Sequence, residues 1–224
     1  MSKSVVRKLI ESLSEPLYAL YAATNNQWNY KELTITVLPE VFHPNWFVTS
    51  RMLLQYLEEL NLEGKEFLEL GCGTGTQACR AVQKGAIGYA SDITNTSCQN
   101  ATLNANQNDL DVKVFQSDIF EQIPAKYSFD CIFVNPPFIE KYPEEEKDFA
   151  FCCGEEYEYY DYLFKNLADR LKPQGALIMA LAKSCDCERI KSTAHQWNFA
   201  FERIEQRKKY GETNYLFKVS RASS

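Results

Sequence analysis

The sequence predicts an α/β fold built on a mostly parallel sheet. Short apolar segments alternate with segments of helical periodicity over most of the chain, which is typical of parallel strands joined by helices. A glycine-rich turn, Gly71-Cys-Gly-Thr-Gly75, joins the first of these strands to the helix after it. The last two predicted strands, 199–207 and 213–219, are joined by a turn at Tyr210-Gly211. We therefore expect a closing hairpin that adds an antiparallel strand.

The individual elements follow one another in a regular order. A helix is expected to begin after Trp46-Phe47 and to end near Leu60, before the first strand of the sheet. The residues Lys172–Gly175 contain a proline and a glycine and should end the helix predicted at 157–171. We predict seven strands, at 66–70, 86–91, 112–116, 129–134, 176–182, 199–207 and 213–219, and further helices at 76–84, 95–107, 157–171 and 188–196.

Residues 1–48 are predicted to form an N-terminal helical and β-hairpin extension, and residues 49–224 the main domain. Apolar residues spaced three and four apart predict a helix over Ser4–Leu13, and Pro16 can open a second short helix, Leu17–Ala23. Segment 33–38 alternates as a strand, and we expect it to pair with Val41-Phe42 in a small β element.

The composition is that of a globular protein with one substantial core. The net charge is −6 and the pI is near 5.1, so the chain has no broad electrostatic surface for nucleic acid. A local basic strip would still suffice for an RNA substrate. One dense basic run contains Arg203, Arg207, Lys208 and Lys209, and we interpret it as a solvated strand end and turn.

The eight cysteines do not have the spacing of a metal site, because no Cys-x-x-Cys pair occurs and the chain has only two histidines. We therefore expect no metal. The sequence shows no long apolar run, so we expect neither a signal peptide nor a transmembrane helix, and no membrane partner. Free thiols are typical of intracellular proteins, and a cytoplasmic location is expected.

The motif Asn135-Pro136-Pro137-Phe138 follows the apolar strand at 129–134. An active-site loop of an α/β sheet commonly lies at such a place. The carboxamide of Asn135 can accept a hydrogen bond, the prolines leave nearby carbonyls free as acceptors, and Phe138 offers a flat face. This combination suits a planar NH2 group, either an amide or the exocyclic amine of a base. The alternative is a proline turn without a chemical role.

The glycine-rich turn favours a particular class of ligand. Glycines permit close approach of the backbone to a ligand, and the helix behind them offers free N–H groups. A dinucleotide fingerprint requires glycine where Thr76 stands, and the Gly-Lys-Ser/Thr of a phosphate loop is absent from the sequence. The remaining Gly-x-Gly-x-Gly pattern suits a nucleoside-bearing ligand without a pyrophosphate. The alternative is a β–α turn that binds nothing.

Two acids follow the next two predicted strands. Asp92 ends the second strand, where a carboxylate can accept hydrogen bonds from both ribose hydroxyls. Asp118 follows the third strand, where a carboxylate can accept from an adenine amino group. Each acid alone is also compatible with a helix N-cap. Their occurrence at successive strand ends favours the ligand interpretation.

On these motifs the chain resembles class I S-adenosylmethionine-dependent methyltransferases, over about 37–219. Asn135-Pro-Pro-Phe138 resembles the motif of amino-methyltransferases, which modify adenine N6 in nucleic acids or the glutamine side-chain amide in proteins. Val41-Phe-His-Pro44, with Thr49 shortly after, resembles the corresponding stretch of small-domain and release-factor glutamine methyltransferases. Cys153-Gly-Glu-Glu156 resembles the Gly-Gly-x-Asp-Gly segment of the glutamine enzymes, from which it departs at Cys153 and at the final glycine.

The resemblance implies a Rossmann-like fold, S-adenosylmethionine as cofactor and methyl transfer to nitrogen. It implies catalytic roles for Asn135, Pro136 and Phe138. A protein substrate that presents a glutamine is favoured; adenine N6 of RNA or DNA is the alternative, and a non-catalytic cofactor-binding protein is disfavoured because both loops are intact. The residues implied to bind the cofactor are Thr49, Glu69, Gly71, Cys72, Gly73, Gly75, Asp92, Asp118 and Asn135.

Two further segments have roles that the sequence leaves open. The acidic run at 144–148 is either a substrate gate or, more commonly for such runs, a solvated loop. The tyrosines at 157, 159, 160 and 162 stand on a predicted helix, so they cannot all face a substrate cleft.

Overall fold

The computed structural model of this chain describes residues 26–222, apart from the side chain of Lys147. The helices predicted over 4–13 and 17–23 lie outside the described residues. Within residues 26–222, no helix is long and apolar enough to cross a membrane. In the same range, no cluster of three or more His, Cys, Asp or Glu side chains is arranged to hold a metal ion.

Seven strands form one sheet and confirm the predicted fold class. The strands are β3 (Glu66–Leu70), β4 (Ile87–Asp92), β5 (Val112–Gln116), β6 (Phe129–Val134), β7 (Leu171–Ala182), β8 (Phe199–Lys209) and β9 (Glu212–Arg221), after two strands of a separate N-terminal hairpin. Their order across the sheet is β5-β4-β3-β6-β7-β9-β8. The first five strands in this order pair in parallel, and the hairpin of β8 and β9 adds the antiparallel pairs.

Helices cover both faces of the sheet because successive side chains of a central strand point to opposite sides. Phe67 of β3 packs in a cluster with the helices at 48–59 and 76–83, whereas Leu68 packs with the helices at 158–170 and 187–196. The helices are α1 (Val48–Glu59), α2 (Thr76–Gln83), α3 (Asn95–Gln107), α4 (Glu158–Arg170) and α5 (Cys187–Gln196), with a short 3-10 helix at Glu146–Ala150.

The order of the strands locates the ligand-binding crevice. From β3 the chain proceeds outward to β4 and β5, and then returns to the other side of β3 to form β6. The sheet therefore has its topological switch point between β3 and β6. In open α/β sheets, ligands bind at such a point, outside the carboxyl ends of the strands. The glycine-rich turn and the Asn135 motif both lie at this edge.

The N-terminal β element differs from the prediction. Segment 33–38 does not pair with Val41-Phe42; instead β2 (Leu33–Thr36) pairs with β1 (Gln27–Tyr30) through a two-residue turn. Lys31 in that turn has φ 53°. The second edge of β2 is unavailable to another strand because side-chain amides of α3 bond to its backbone groups.

Three asparagines form this amide ladder. Asn108 Oδ1 accepts from the N–H of Thr34 at 3.0 Å, Asn104 Oδ1 from that of Thr36 at 2.8 Å and Asn100 Oδ1 from that of Leu38 at 2.8 Å. Their Nδ2 groups donate to the carbonyls of Thr34 and Thr36. The side chains of one helix thus replace the neighbouring strand that β2 lacks.

Strand β7 begins earlier than predicted, at Leu171 rather than Ala176. Its pairing with β6 passes from Phe129↔Leu171 to Cys131↔Ala176, so the Lys172–Gly175 segment forms an irregularity within the strand. Lys172 Nζ lies 2.7 Å from Asp130 Oδ2 and 3.0 Å from Glu66 Oε2. The proline and glycine, which were predicted to separate the helix from the strand, instead lie in a bulge within β7. The other predicted boundaries of the sheet and of α1 to α5 agree with the structure to within about two residues.

Candidate active site

One cleft at the carboxyl ends of the strands contains nearly all the residues predicted to form the site. Its floor is the glycine-rich turn after β3, and its walls are the loops after β4, β5 and β6. The predicted residues that line it are Thr49, Glu69, Gly71, Cys72, Gly73, Asp92, Asp118, Asn135, Pro136 and Phe138.

Gly75 is the predicted residue that does not line the cleft. It is the N-cap of α2 and has φ 70°, a conformation that favours glycine. A Cβ atom at this position would lie 2.7 Å from Cβ of Ala101 in α3. Gly75 therefore permits α2 and α3 to pack closely, and we assign it a packing function instead of a contact with the ligand.

Asp92 fixes the glycine-rich turn. Its Oδ2 accepts from the backbone N–H of Gly73 at 3.0 Å. Its Oδ1 accepts from the backbone N–H of Thr94 at 3.0 Å and from the hydroxyl of Thr94 at 3.1 Å. Burial raises the pKa of Asp92, against the effect of these hydrogen bonds. A carboxylate with two oxygens can accept further bonds, so this position remains suitable for a pair of hydroxyl groups.

Glu69 is almost fully buried beneath the turn. Its Oε2 accepts from the backbone N–H of Ala78 in the first turn of α2 at 2.8 Å. Burial raises the pKa of Glu69 to about 8, and the charge of Asp92 adds to this effect. Glu69 therefore joins the end of β3 to the start of α2 and places a titratable group under the cleft.

The end of the cleft near Asp118 is formed by an apolar wall and an exposed acid. Ile119 and Tyr159 line the cleft beside Asp118. Burial, together with the charges of Asp118 and Asp92, raises the pKa of Tyr159 well above its ordinary value. Tyr159 therefore remains neutral at all ordinary pH values and presents a flat aromatic surface. This arrangement of a ring, an aliphatic side chain and a carboxylate suits a flat base with an amino group.

The side chain of Asn135 is oriented by Ser50. Asn135 Nδ2 donates to Oγ of Ser50 at 3.3 Å. Ser50 lies in the first turn of α1 and is buried. Because the nitrogen of the carboxamide is engaged by Ser50, its oxygen is the group offered to a donor in the cleft. An amide oxygen in this position can accept from an NH2 group.

The rest of the Asn135 motif is held by hydrogen bonds from neighbouring elements. The buried hydroxyl of Tyr160 in α4 donates to the carbonyl of Pro137 at 2.8 Å. The N–H groups of Phe138 and Ile139 donate to the carbonyl of Phe151 at 2.8 and 2.7 Å. The ring of Phe138 remains 36% exposed and lines the cleft, so it is available to stack on a planar group.

The mouth of the cleft is aromatic and acidic. Phe42 and Phe47 stack at 3.9 Å between ring centroids, with an interplanar angle of 19°. Glu146 and Phe149, both in the 3-10 helix of the acidic loop, line the cleft together with Glu40 on the opposite segment. In the described part of the chain, no lysine or arginine lines the cleft. The acidic segment is therefore part of the mouth of the cleft and is not only a solvated loop.

Four residues that line the site were not predicted from the sequence, or were predicted without a definite role: Ser50, Gln77, Phe149 and Tyr159. Ser50 is adjacent to Thr49, but nothing in the sequence indicates a contact with a loop 85 positions away. Helical periodicity shows that the tyrosines of this segment cannot all face the cleft. It does not show which of them lines the cleft, because that depends on how α4 packs on the sheet. Phe149 directly follows the acidic run at 144–148, and nothing in that segment of the sequence indicates that its ring lines the cleft.

The residues of the cleft fit S-adenosylmethionine. Acceptors for its hydroxyl and amino groups stand in a row at the ends of β5, β4 and β3, at Asp118, Asp92 and Glu69. A further buried acceptor of the cleft, Oε1 of Gln77 in α2, makes no hydrogen bond although Gln77 is only 7% exposed. A buried acceptor of this kind is rare without a ligand or a water.

Comparisons with known proteins agree with the fold and the site. The family model described as "Methyltransferase small domain" matches residues 32–212. A Methanocaldococcus jannaschii protein with the provisional name protein N5-glutamine methyltransferase is 33% identical over 159 residues, which cover 67% of this chain and 76% of the relative. The ribosomal RNA small subunit methyltransferase C of Psychromonas ingrahamii is 33% identical over 138 residues, or 56% of this chain and 37% of the relative.

Two solved structures show the same fold at lower identity. The T. Thermophilus 16S rRNA N2 G1207 methyltransferase, in complex with AdoMet and guanosine, superimposes with a TM-score of 0.67 at 20% identity, covering 88% of this chain and 50% of that one. The E. cuniculi Mtq2–Trm112 complex, which methylates the eRF1 translation termination factor, gives a TM-score of 0.62 at 19% identity, covering 82% and 99%. The chain is a methyltransferase and belongs to the methyltransferase small domain family.

Proposed function

We propose that this methyltransferase transfers the methyl group of S-adenosylmethionine to the side-chain amide nitrogen of a glutamine in a protein. The observation that carries the proposal is the carboxamide of Asn135, whose nitrogen is bonded to Ser50 and whose oxygen is thereby offered to the cleft. The ring of Phe138 lies in the same loop and offers a stacking surface for a planar amide.

S-adenosylmethionine, when bound, supplies a methyl group on a sulfonium that is open to attack by a nucleophile. The amide nitrogen of glutamine is a weak nucleophile because its lone pair is delocalised. Hydrogen bonds from its N–H groups to Asn135 Oδ1 and to the carbonyl of Pro136 would hold it in line and stabilise the positive charge that develops on nitrogen. The proton becomes acidic as the bond forms, so the site needs no strong base.

The charges at the mouth favour a protein over a nucleic acid. Glu40 and Glu146 lie at the mouth, and the described residues of the lining contain no cation. Binding to nucleic acid draws on many contacts from Lys and Arg to phosphates. Arg207, in the basic run of β8, instead bonds to Glu205 and Gln55. An amide in a flexible loop can also enter a narrow cleft without the unstacking that a paired base requires.

Methylation of adenine N6 in RNA or DNA is the second candidate. It is supported by the rings of Phe42, Phe47, Phe138 and Phe149 around the opening, which could stack on an extruded base. It is also supported by the relatives named as ribosomal RNA methyltransferases, although the chain spans only about a third of their length.

The two candidates differ in their products. The purified protein is incubated with labelled S-adenosylmethionine and cell lysate, before and after treatment with RNase or protease, and the products are analysed by mass spectrometry. We expect N5-methylglutamine, sensitivity to protease and a shallow dependence on salt. N6-methyladenosine as the main product, with a steep loss of binding between low and moderate salt, would overturn the glutamine assignment. The Asn135→Ala variant serves as the inactive control.

A cytoplasmic location is part of the proposal. All eight cysteines are free thiols, and six of them are buried. Free thiols are maintained in reducing compartments. Localisation of the tagged full chain by fractionation tests this point.

A further inference from the structure

The side-chain oxygen Oε1 of Gln77, which has no hydrogen-bond partner, indicates which residue recognises the amino-acid end of the cofactor. Gln77 is the second residue of α2; it lines the cleft, is 7% exposed, and its Oε1 has no hydrogen-bond partner. We propose that Gln77 Oε1 accepts a hydrogen bond from the α-ammonium group of S-adenosylmethionine. The inference rests on the cofactor and is independent of which acceptor is methylated.

The order of the strands determines which part of the cofactor lies near Gln77. The carboxyl ends of β5, β4, β3 and β6 stand side by side, about 4.8 Å apart. Asp118 follows β5, Asp92 ends β4, and Asn135 follows β6. With the adenine near Asp118, the ribose near Asp92 and the transferred methyl near Asn135, the amino-acid end lies over β3. Gln77 lies in the helix that follows β3.

The other side-chain acceptors near this end each have a partner within the protein. Glu69 Oε2 accepts from the N–H of Ala78 at 2.8 Å. The hydroxyls of Thr74 and Thr76 bond to each other at 2.7 Å. Gln77 Oε1 is the described buried acceptor of the lining without a partner, so a donor on the ligand relieves the cost of an unsatisfied buried oxygen there and at no other side chain of the described lining.

A neutral acceptor is well suited to this position. Glu69 lies beneath the turn and Asp92 beside it, and the charge of Asp92 adds to the burial that raises the pKa of Glu69. A third acid would add to that repulsion when the cofactor is absent. The amide of Gln77 offers an acceptor oxygen to an ammonium group without adding a negative charge beside Glu69 and Asp92. A bond between an amide oxygen and a charged donor is stronger than one between neutral groups.

The test is calorimetric titration with two probes, S-adenosylhomocysteine and its analogue that lacks the α-amino group. In Gln77→Met, we expect affinity for S-adenosylhomocysteine to fall about 10- to 100-fold, the range for one hydrogen bond to a charged group. Affinity for the desamino analogue should change less than about threefold, because that ligand has no group for Oε1 to accept from. The melting temperature of the unliganded variant should stay the same or rise, because the substitution removes an unsatisfied buried oxygen.

Gln83→Met is the matched control. Gln83 lies in the same helix, outside the cleft, and its Oε1 accepts from Arg80 Nη1 at 3.0 Å. Its substitution should leave both affinities unchanged. If Gln77→Met does not fold, Gln77→Ala, which only widens the cleft, gives the same comparison. Equal losses for the two probes in the Gln77 variants, or no loss for either, would overturn the proposal. Failure of the wild-type protein to bind S-adenosylhomocysteine would instead refute the cofactor.

Discussion

Asn135 Nδ2 lies 3.3 Å from Oγ of Ser50, a residue 85 positions earlier in the chain. Asn135 follows a strand of the sheet, and Ser50 lies in the first turn of the helix that precedes the sheet. In the structure this bond holds the nitrogen end of the Asn135 carboxamide at Ser50. The acceptor Oδ1 of Asn135 is thereby left towards the cleft. The opposite orientation would present the donor Nδ2 to an incoming NH2 group, which is itself a donor.

Removal of the Ser50 hydroxyl should therefore reduce turnover without affecting the cofactor. In Ser50→Ala, we expect kcat to fall about tenfold, because Asn135 is free to rotate, whereas affinity for S-adenosylhomocysteine stays within about twofold. Ser50→Thr retains the hydroxyl and should restore most of the activity. Labelled methyl transfer to the identified acceptor measures the first quantity and calorimetry the second.

The Asn135→Ala variant should lose about 10²–10³ in turnover, the scale of one transition-state hydrogen bond. Adding Ser50→Ala to it should cost nothing more, because Ser50 acts through Asn135. Additive losses in the double variant would contradict this relationship. Unchanged turnover in Asn135→Ala would leave the motif as a turn.

Asp92 should be required for binding of the cofactor. S-adenosylhomocysteine is expected to raise the melting temperature of the wild-type protein by mass action. In Asp92→Ala, most of that increase should disappear, because the acceptor for the ribose is lost and Gly73 and Thr94 lose their bonds to the carboxylate. The exposed Asp111→Ala serves as the control. An increase with NAD and none with S-adenosylhomocysteine would refute the interpretation of Thr76.

Glu69 should make the stability of the protein depend on pH. Its pKa is about 8 in the folded protein, against 4.5 as the ordinary value. Between these values the folded state holds a proton that the unfolded state has released, so the free energy of unfolding should fall as pH rises from about 5 to 8. Of its ionisable neighbours, Cys72 and Cys79 remain protonated in this window because burial raises their pKa values, and Asp92 has a raised pKa of its own.

The variant Glu69→Gln isolates this effect, since the amide retains an acceptor for the N–H of Ala78. Relative to the wild type, its free energy of unfolding should rise by a few kcal/mol at pH 8 and change little at pH 5. Urea unfolding at the two pH values measures the difference. An equal change at both values would show that Glu69 does not titrate in this range.

The amide ladder should tie the N-terminal hairpin to the active site. Asn104 bonds to both backbone groups of Thr36, and its Nδ2 donates to the carbonyl of Thr74 in the glycine-rich turn at 2.8 Å. We propose that residues 1–48 form an extension to the 49–224 domain, and that its described part, residues 26–48, depends on that domain for its structure. Asn104→Leu should lower the stability by about 2–4 kcal/mol and weaken cofactor binding.

The control for the ladder is Asn106→Leu, the same substitution at an exposed position of α3. It should change the stability by less than about 0.5 kcal/mol. Hydrogen exchange of residues 27–36 should increase in Asn104→Leu and stay unchanged in Asn106→Leu. Equal protection of the hairpin in both variants would show that the ladder does not hold it.

The sequence by itself determined the alternation of strands and helices, and with it the parallel sheet and the edge that carries the ligand. These features depend on local periodicity and on glycines and prolines close in the chain. The motif at Asn135 and the acids at the ends of β4 and β5 could be assigned to one edge for the same reason, because parallel strands end on the same side of a sheet.

The tertiary structure decided what depends on partners far apart in the chain. The pairing of β2 was predicted wrongly because its second edge is occupied by asparagines of α3, more than 60 positions away. Gly75 fits the sequence pattern of a ligand contact, but in the structure its missing Cβ makes room for Ala101. The orientation of Asn135 by Ser50 and the unpaired oxygen of Gln77 arise only when helices pack on the sheet, since a hydrogen bond has a direction that sequence spacing does not encode.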